Sequence, residues 1–194
     1  MNDFNQNRDP LTGLWKHRYA FEKLKEAVAT CSQVALIFID IDHLKSFNDQ
    51  WNHNLGDERI IEIARGIEAT VGDDCLACRY GGDEFLVIMP QCSLQKACEV
   101  AESLRAQRKP VFVTPDKTEV AALTLSLGLA HFPKHVSSAE GLIYAADLAL
   151  LKAKRGGRLP DGTTYTGRNR VMVIGDFLDE FPHQSAVFEA GMNY

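Results

Sequence analysis

The sequence predicts an α+β sandwich, in which helices flank a mostly antiparallel central sheet. Three observations predict this class. The run VALIFID at 34–40 is continuously apolar, which is typical of a buried central strand. Two short apolar segments on either side of GGDE at 81–84 have the pattern of a hairpin. Stretches with helical spacing separate these strands, and the resulting order, β-α-β-β-α-β, is ferredoxin-like.

The helices are predicted from apolar residues that recur three or four positions apart. Four stretches have this spacing: 17–31, 55–71, 93–107 and 137–155. The last begins with Ser137 and Glu140 at the spacing of a capping box. The first and the last of these helices are additions to the ferredoxin-like core.

The strands are predicted from short apolar runs, found at 34–40, 75–80, 85–90, 121–130 and 170–175. In the ferredoxin-like order the first strand lies beside the third and antiparallel to it. The end of the first strand, with Asp40 and Asp42, is therefore expected close to Asp83 and Glu84.

Carboxylates gathered at one sheet edge repel one another unless a cation lies among them. Hard divalent cations with oxygen ligands commonly solve this problem, so the acids predict a magnesium site. The two glycines of GGDE admit positive φ and let a phosphorylated ligand approach the backbone. The alternative is a solvated acidic turn, because Gly and Asp are ordinary turn residues. The hairpin does not decide between these readings.

Composition bounds the remaining function classes. The chain has 194 residues, of which 45% are hydrophobic and 24% charged, as in a globular domain. Its net charge of -5 argues against nucleic acid as a partner. No apolar run approaches the ~20 residues of a membrane span, and the N-terminus lacks a signal peptide, which predicts a cytoplasmic location. The CxxC at Cys75 and Cys78 is interpreted as buried thiols rather than a zinc site.

Five motifs resemble the GGDEF family of diguanylate cyclases: DPLTGL (9–14), DIDHLKSFNDQWNHNLGD (40–57), RYGGDEF (79–85), LSLGLA (125–130) and AADLALLKAK (145–154). The resemblance implies one palm-like GGDEF domain over 9–174, with tails at 1–8 and 175–194. It also implies condensation of two GTP into cyclic di-GMP with release of two pyrophosphates. Each 3′-hydroxyl would attack the α-phosphorus of the other GTP across a homodimer.

The resemblance assigns roles to the acids. Asp40, the backbone carbonyl of Ile41 and Asp83 match the ligands of two Mg²⁺ ions, with Mn²⁺ as an alternative. Glu84 matches a neighbouring acid that helps to deprotonate the 3′-hydroxyl. These three carboxylates are the predicted catalytic residues.

The resemblance also assigns substrate contacts. The backbone amides of His43 and Leu44 would bind phosphate at a helix start. Asn48 and Asp57 match the pair that binds the guanine base. The carboxylate of Asp57 would accept hydrogen bonds from the guanine N1–H and 2-amino group. An alternative role for Asp57 is to cap the helix that begins near it.

Lys154 and Arg158 match the basic pair that holds the terminal phosphates. The chain departs from the family here, because residues 159–167 are inserted between two GR copies. Arg168 in the second copy is therefore an alternative to Arg158, although the spacing favours Arg158. The Pro, Gly and Thr residues of the insertion predict a loop.

Two further expectations concern regulation. Gly72 and Cys75 stand where many family members have the RxxD product-inhibition motif, so no inhibition through that site is predicted. Family members usually carry an N-terminal sensory or dimerising domain, so this chain is expected to be a catalytic fragment of a protein that could be membrane-tethered. The alternative functions are a degenerate GGDEF domain that binds GTP or cyclic di-GMP without turnover, and an interaction domain without a ligand.

Overall fold

The computed structural model describes residues 6–107, 111–113, 118–120, 122–159 and 161–176. Its helices are α1 (His17–Thr30), α2 (Leu44–Gln50), α3 (His53–Val71), α4 (Leu94–Ala106) and α5 (Ala139–Arg155). Its strands are β1 (Trp15–Lys16), β2 (Val34–Ile41), β3 (Leu76–Arg79), β4 (Glu84–Pro90), β5 (Val111–Val113), β6 (Thr118–Val120), β7 (Leu125–Phe132), β8 (Gly157–Arg158), β9 (Thr164–Tyr165) and β10 (Val171–Val173). A 3₁₀ turn, Ile174–Asp176, follows. Within these residues, no helix has the length and apolar character needed to cross a membrane.

The central sheet has the order β1-β3-β4-β2-β7-β10. Its four inner strands are antiparallel, and β1 and β10 are added in parallel at the two edges. The strand β2 therefore lies between β4 and β7. The predicted ferredoxin-like order is confirmed, and Asp40 pairs with Glu84 in the register of β2 and β4.

Helices cover both faces of the sheet, and β2 is therefore buried along its whole length. Leu36 and Phe38 belong to the core beneath α1 and α5, whereas Ile37 and Ile39 belong to the core beneath α3 and α4. Helix α5 lies directly on β7. A Cβ on Gly128 would be 2.1 Å from the carbonyl oxygen of Ala146, so this close approach requires glycine.

Several predicted boundaries were wrong by a few residues. Helix α3 begins at His53 because the Asn52 side chain accepts a hydrogen bond from Leu55 N at 2.9 Å. The predicted capping box at Ser137 is also wrong, because Ser138 is the N-cap and accepts from Gly141 N at 3.0 Å. The strand predicted at 121–130 begins at Leu125.

The predicted loop at 159–167 is partly a hairpin. Strands β8 and β9 pair antiparallel, and the turn between them is closed by Leu159 N and the Thr163 carbonyl at 2.8 Å. We call residues 157–166 the ribbon. A second small hairpin, β5 with β6, lies in a stretch predicted as loop. Of the predicted tails, residues 1–5 and 177–194 lie outside the described residues.

Candidate active site

The predicted catalytic acids meet where β2 ends and β4 begins. Asp40 and Glu84 are register partners, and the backbone N–H of Ile41 donates to the Asp83 carbonyl at 3.1 Å. The Asp40 side chain is only 5% exposed, and Lys154 Nζ donates to its Oδ2 at 2.8 Å. Two adjacent strands and helix α5 thus bring together five of the predicted site residues.

The cluster carries more negative charge than Lys154 balances. Burial raises the pKa of Asp40; Lys154 opposes this shift, and the charges of Asp83 and Asp42 add to it. Burial also raises the pKa of Glu84, to which Asp40 and Asp83 contribute. Ionised carboxylates that are both desolvated and close to like charges favour the arrival of a cation.

The chemistry of the donors fits a hard cation. Two carboxylates and the carbonyl of Ile41 are oxygen ligands of the kind that Mg²⁺ takes, and Mg²⁺ usually leaves its other positions to water and substrate phosphates. In the part of the chain that the structure describes, no group of three or more His, Cys, Asp or Glu side chains is arranged to hold a metal ion. Asp40, Asp83 and the Ile41 carbonyl could hold the ion without such a group if substrate phosphates and water completed the shell.

Arg79 links the GGDE turn to the DPLTGL turn by hydrogen bonds. Its Nη2 donates to the Gly82 carbonyl at 2.8 Å, and its Nη1 donates to Asp9 Oδ1 at 3.2 Å. The turn of DPLTGL therefore supports the turn of RYGGDEF. The two glycines permit positive φ, but neither uses it here. A Cβ on Gly81 would be 2.8 Å from Glu84 Oε2, so a larger residue there would displace the end of the Glu84 side chain.

The two predicted guanine-reading residues lie on neighbouring helices. Asn48 on α2 packs against Gly56 on α3, where a Cβ would be 1.9 Å from Asn48 Oδ1. That oxygen is buried and has no hydrogen-bond partner among the described residues. Asp57 follows Gly56 and is exposed. The alternative that Asp57 caps α3 was wrong, because Asn52 is the cap. An exposed acid beside an unpaired amide oxygen can bind a ligand edge rich in N–H groups.

The remaining predicted contacts lie around the ends of α2 and α5. His43 caps α2 in a left-handed conformation with φ 63°, and Leu44 begins that helix. Arg158 is exposed on the ribbon. Arg168 lies beyond the ribbon, and its Nε is 4.0 Å from Asp42 Oδ1. The second of the two candidate arginines therefore lies next to the end of β2.

The profile of the family described as "Diguanylate cyclase, GGDEF domain" matches residues 6–159. The chain belongs to this family. It is 35% identical over 159 residues to the probable diguanylate cyclase DgcC of Escherichia coli K12, covering 78% of this chain and 41% of that protein. It is 36% identical over 168 residues to the diguanylate cyclase VdcA of Vibrio cholerae, covering 86% of this chain and 46% of that protein. The chain thus spans less than half the length of these curated relatives.

Solved GGDEF structures have the same fold. The GGDEF domain of DgcB from Caulobacter crescentus, in complex with c-di-GMP, superimposes with a TM-score of 0.78 at 29% identity, covering 90% of this chain and 96% of that chain. The diguanylate cyclase SiaD of Pseudomonas aeruginosa, in complex with its activator SiaC, has a TM-score of 0.74 at 32% identity, covering 88% of this chain and 62% of that chain. The palm-like α+β prediction is confirmed.

Sequence reasoning missed one acid of this GGDEF domain. Asp147 lies on α5, seven residues before Lys154 and therefore on the same side of the helix. It contributes to the raised pKa of Glu84, and burial raises its own pKa while Lys154 lowers it. Both acids line a cavity of about 590 Å³ between α1, α5 and β4. The seven-residue spacing to Lys154 was the signal that could have found it.

The surroundings of Asp42 were also not predicted. This residue was expected beside the hairpin acids, and its charge does act on Asp40. Its carboxylate, however, bonds on the β7 side. It accepts from Thr124 Oγ1 and Ser126 Oγ, both at 2.7 Å, and from Asn169 N at 2.9 Å. Asp42 thus belongs to a closed hydrogen-bond network.

Proposed function

We propose that this chain is the catalytic domain of a diguanylate cyclase, which condenses two GTP into cyclic di-GMP and releases two pyrophosphates. The observation that carries the proposal is the register pair Asp40 and Glu84 with Asp83 beside it, a desolvated acid cluster whose nearest cation is Lys154. Such a cluster suits metal-dependent transfer of a nucleotidyl group to a hydroxyl.

The acids would divide the work between them. Asp40, the Ile41 carbonyl and Asp83 would hold two Mg²⁺ ions, or Mn²⁺, which when bound neutralise the triphosphate and stabilise the attacking and leaving oxygens. Glu84 would accept the proton of the 3′-hydroxyl. Burial raises the pKa of Glu84, and a carboxylate of raised pKa is a stronger base than an ordinary one.

Lys154 would change partner when substrate arrives. Its side chain is 33% exposed, so its ammonium can turn towards a phosphate and remain solvated, but the buried Asp40 then needs another counter-charge. The metal would then take over as the counter-charge of Asp40. The backbone amides of His43 and Leu44 would donate to phosphate from the start of α2.

Asn48 and Asp57 would read guanine. The Asp57 carboxylate would accept from N1–H and the 2-amino group, an edge that adenine lacks, and the Asn48 amide would bind the base beside it. We expect Asp57→Ala to narrow the preference for GTP over ATP, which competition between the two nucleotides would measure.

We propose Arg168, rather than Arg158, as the partner of Lys154 on the terminal phosphates. Two contacts support this choice. Arg168 N donates to the carbonyl of Ala153 at 2.7 Å, beside Lys154 in the chain, and Arg168 Nε is 4.0 Å from Asp42. Arg158 instead lies on the exposed ribbon. Arg168→Ala should therefore raise the KM for GTP by about tenfold, a typical loss for one charge-assisted contact, with a smaller effect for Arg158→Ala.

Catalysis would require two domains. Each would hold one GTP, so the 3′-hydroxyl of each must reach the α-phosphorus held by the other across a two-fold axis. Because the chain spans less than half of its curated relatives, a sensory domain or an activator would promote this encounter in the full protein. Specific activity should therefore rise with protein concentration.

A second candidate is a GGDEF domain that binds GTP or cyclic di-GMP without turnover. The interruption of the basic segment by the ribbon favours it, because a displaced arginine would weaken the hold on the terminal phosphates.

One experiment separates the candidates. Purified protein at high concentration is incubated with GTP and Mg²⁺, and the nucleotides are resolved by chromatography. Cyclic di-GMP that disappears in Asp83→Ala supports the cyclase. Binding of GTP without product supports the regulatory module, and an absence of both nucleotide and metal binding contradicts the two proposals together.

A further inference from the structure

We propose that Asp42 is a positioning residue: it holds the turn that carries Arg168 against the ends of β2 and β7. This inference rests on the proposed function, because it concerns how the site keeps its phosphate-binding arginine. Asp42 would touch neither metal nor substrate.

The Asp42 carboxylate is committed to protein donors. Its side chain is fully buried, and two hydroxyls and one backbone N–H donate to its two oxygens. Its own N–H donates to the carbonyl of Thr124 at 2.8 Å. A carboxylate that already accepts three hydrogen bonds has little capacity left for a metal ion.

The turn that Asp42 holds is strained. Arg168 and Asn169 have φ angles of 75° and 46°, so two successive non-glycine residues lie in the left-handed region. Such residues persist where their surroundings over-determine them, and they cluster at functional sites. Asn tolerates this conformation better than Arg does.

Three contacts from different elements hold the turn in this conformation. Arg168 N donates to the Ala153 carbonyl at the end of α5, Asn169 N donates to Asp42, and Arg105 Nη1 on α4 donates to Asn169 Oδ1 at 3.1 Å. The Arg168 side chain remains 42% exposed. The backbone of the turn is therefore fixed, while the partly exposed guanidinium can meet a phosphate from solvent.

This arrangement explains how the arginine segment keeps its place despite the ribbon. The residues that flank the ribbon, Gly156 and Gly167, lie next to each other: a Cβ on Gly156 would be 2.7 Å from Gly167 N. The contacts that hold Arg168 all lie outside the ribbon. Asp42 thereby links the arginine turn directly to the strand that carries Asp40.

A double-mutant cycle tests the inference. The measured quantity is the Kd of a GTP analogue whose α–β bridge resists cleavage, with cyclic di-GMP formation as a second readout. Asp42→Ala and Arg168→Ala should each raise the Kd by about tenfold, and the double variant by about tenfold as well, because Asp42 acts through Arg168. Arg65→Ala, an exposed arginine on α3, is the matched control and should combine additively with Asp42→Ala.

The conservative variant distinguishes positioning from metal binding. In Asp42→Asn the amide oxygen can accept from Asn169 N and Thr124, while its NH₂ donates to the hydroxyl of Ser126. We expect its Kd and its rate of product formation to stay within about threefold of the wild type. If Asp42 were a metal ligand, Asp42→Asn would be as inactive as Asp42→Ala.

Outcomes that overturn the inference are distinct from failure of the proposed function. A double variant with a Kd about 100-fold above the wild type would mean that the two residues act independently. If the cycle shows the expected coupling between Asp42 and Arg168 but the wild type makes no cyclic di-GMP, only the cyclase proposal is overturned. If Asp42→Ala does not fold, Asn169→Ala replaces it in the cycle, because it destabilises the same left-handed turn and leaves Asp42 in place.

Discussion

The end of β2 carries two carboxylates with opposite surroundings. On the β4 side, Asp40 meets Glu84 and Asp83, and it forms an ion pair with Lys154, whose side chain is 33% exposed. On the β7 side, Asp42 meets Thr124 and Ser126. One acid is surrounded by acids, and the other by donors.

The difference shows that two acids only two residues apart, Asp40 and Asp42, can have a binding role and a structural role. The acid-rich side has excess negative charge in a buried setting, which favours binding a cation. The donor-rich side satisfies its charge internally, which favours rigidity. The following predictions test this contrast.

The largest expected effect is the loss of catalysis on the acid-rich side. Asp83→Ala should lower cyclic di-GMP formation by about a thousandfold or more, because a metal ligand acts on every charge that develops in the transition state. Product formation would be followed by chromatography, and circular dichroism would verify the fold. Activity within tenfold of the wild type would contradict a metal-binding role for Asp83.

Asp42 should matter more than Asp40 for stability, whereas Asp40 is the acid proposed to act in catalysis. Asp42→Ala leaves one buried and two part-buried donors without their acceptor and should lower the free energy of unfolding by about 3 kcal/mol. Asp40→Ala should cost less than about 1 kcal/mol, because it removes a desolvated charge and Lys154 can turn to water. Urea denaturation of the metal-free variants would measure both values. Equal losses would remove the contrast between the two sides.

The acid-rich side should also give metal-free protein an unusual pH dependence. Burial raises the pKa of Asp40 above its ordinary 3.8 and that of Glu84 above 4.5. Between the ordinary and the raised pKa, the folded state holds more protons than the unfolded state, so the contribution of these groups to stability falls as pH rises.

Calorimetry with a chelator would measure this effect as the Tm of Glu84→Gln minus that of the wild type. We expect the difference to grow as pH rises above 4.5, since the variant lacks the ionising group. A difference that shrinks with rising pH would contradict the sign.

The smallest expected effect concerns the ribbon. Deleting residues 157–166 and joining Gly156 to Gly167 should leave the KM for GTP within about twofold of the wild type, because the contacts of the Arg168 turn lie outside the deleted segment. A loss as large as that of Arg168→Ala would instead indicate that Arg158 binds the phosphates.

Much of the fold could be predicted because its signals are local. The unbroken apolar run of β2 identified a central strand, and the apolar segments around GGDE identified the hairpin beside it. Helix boundaries were less predictable. Several neighbouring polar residues could serve as the N-cap, and the backbone conformation places Asn52 and Ser138 in that position. The small β5–β6 hairpin was missed because each of its strands has only three residues, fewer than the runs that predict a strand.

The site divides in the same way. Asp40, Asp83, Glu84 and Lys154 were predicted from motifs to lie at one site, and the fold brings them together, with Asp40 and Glu84 paired in register. The partners of Asp42 were not found, because they come from distant parts of the chain. Asp147 was missed although its seven-residue spacing to Lys154 was a local signal.

The linear order of residues already specifies the order of the core strands and helices, the GGDEF family and the acids of the candidate site, because periodicity and motif spacing are properties of the chain. The choice between a cation-seeking and an internally satisfied carboxylate could be made only after folding. Asp40 and Asp42 are the same residue type two positions apart, and their chemistry differs because β4 brings acids to one and β7 brings hydroxyls to the other.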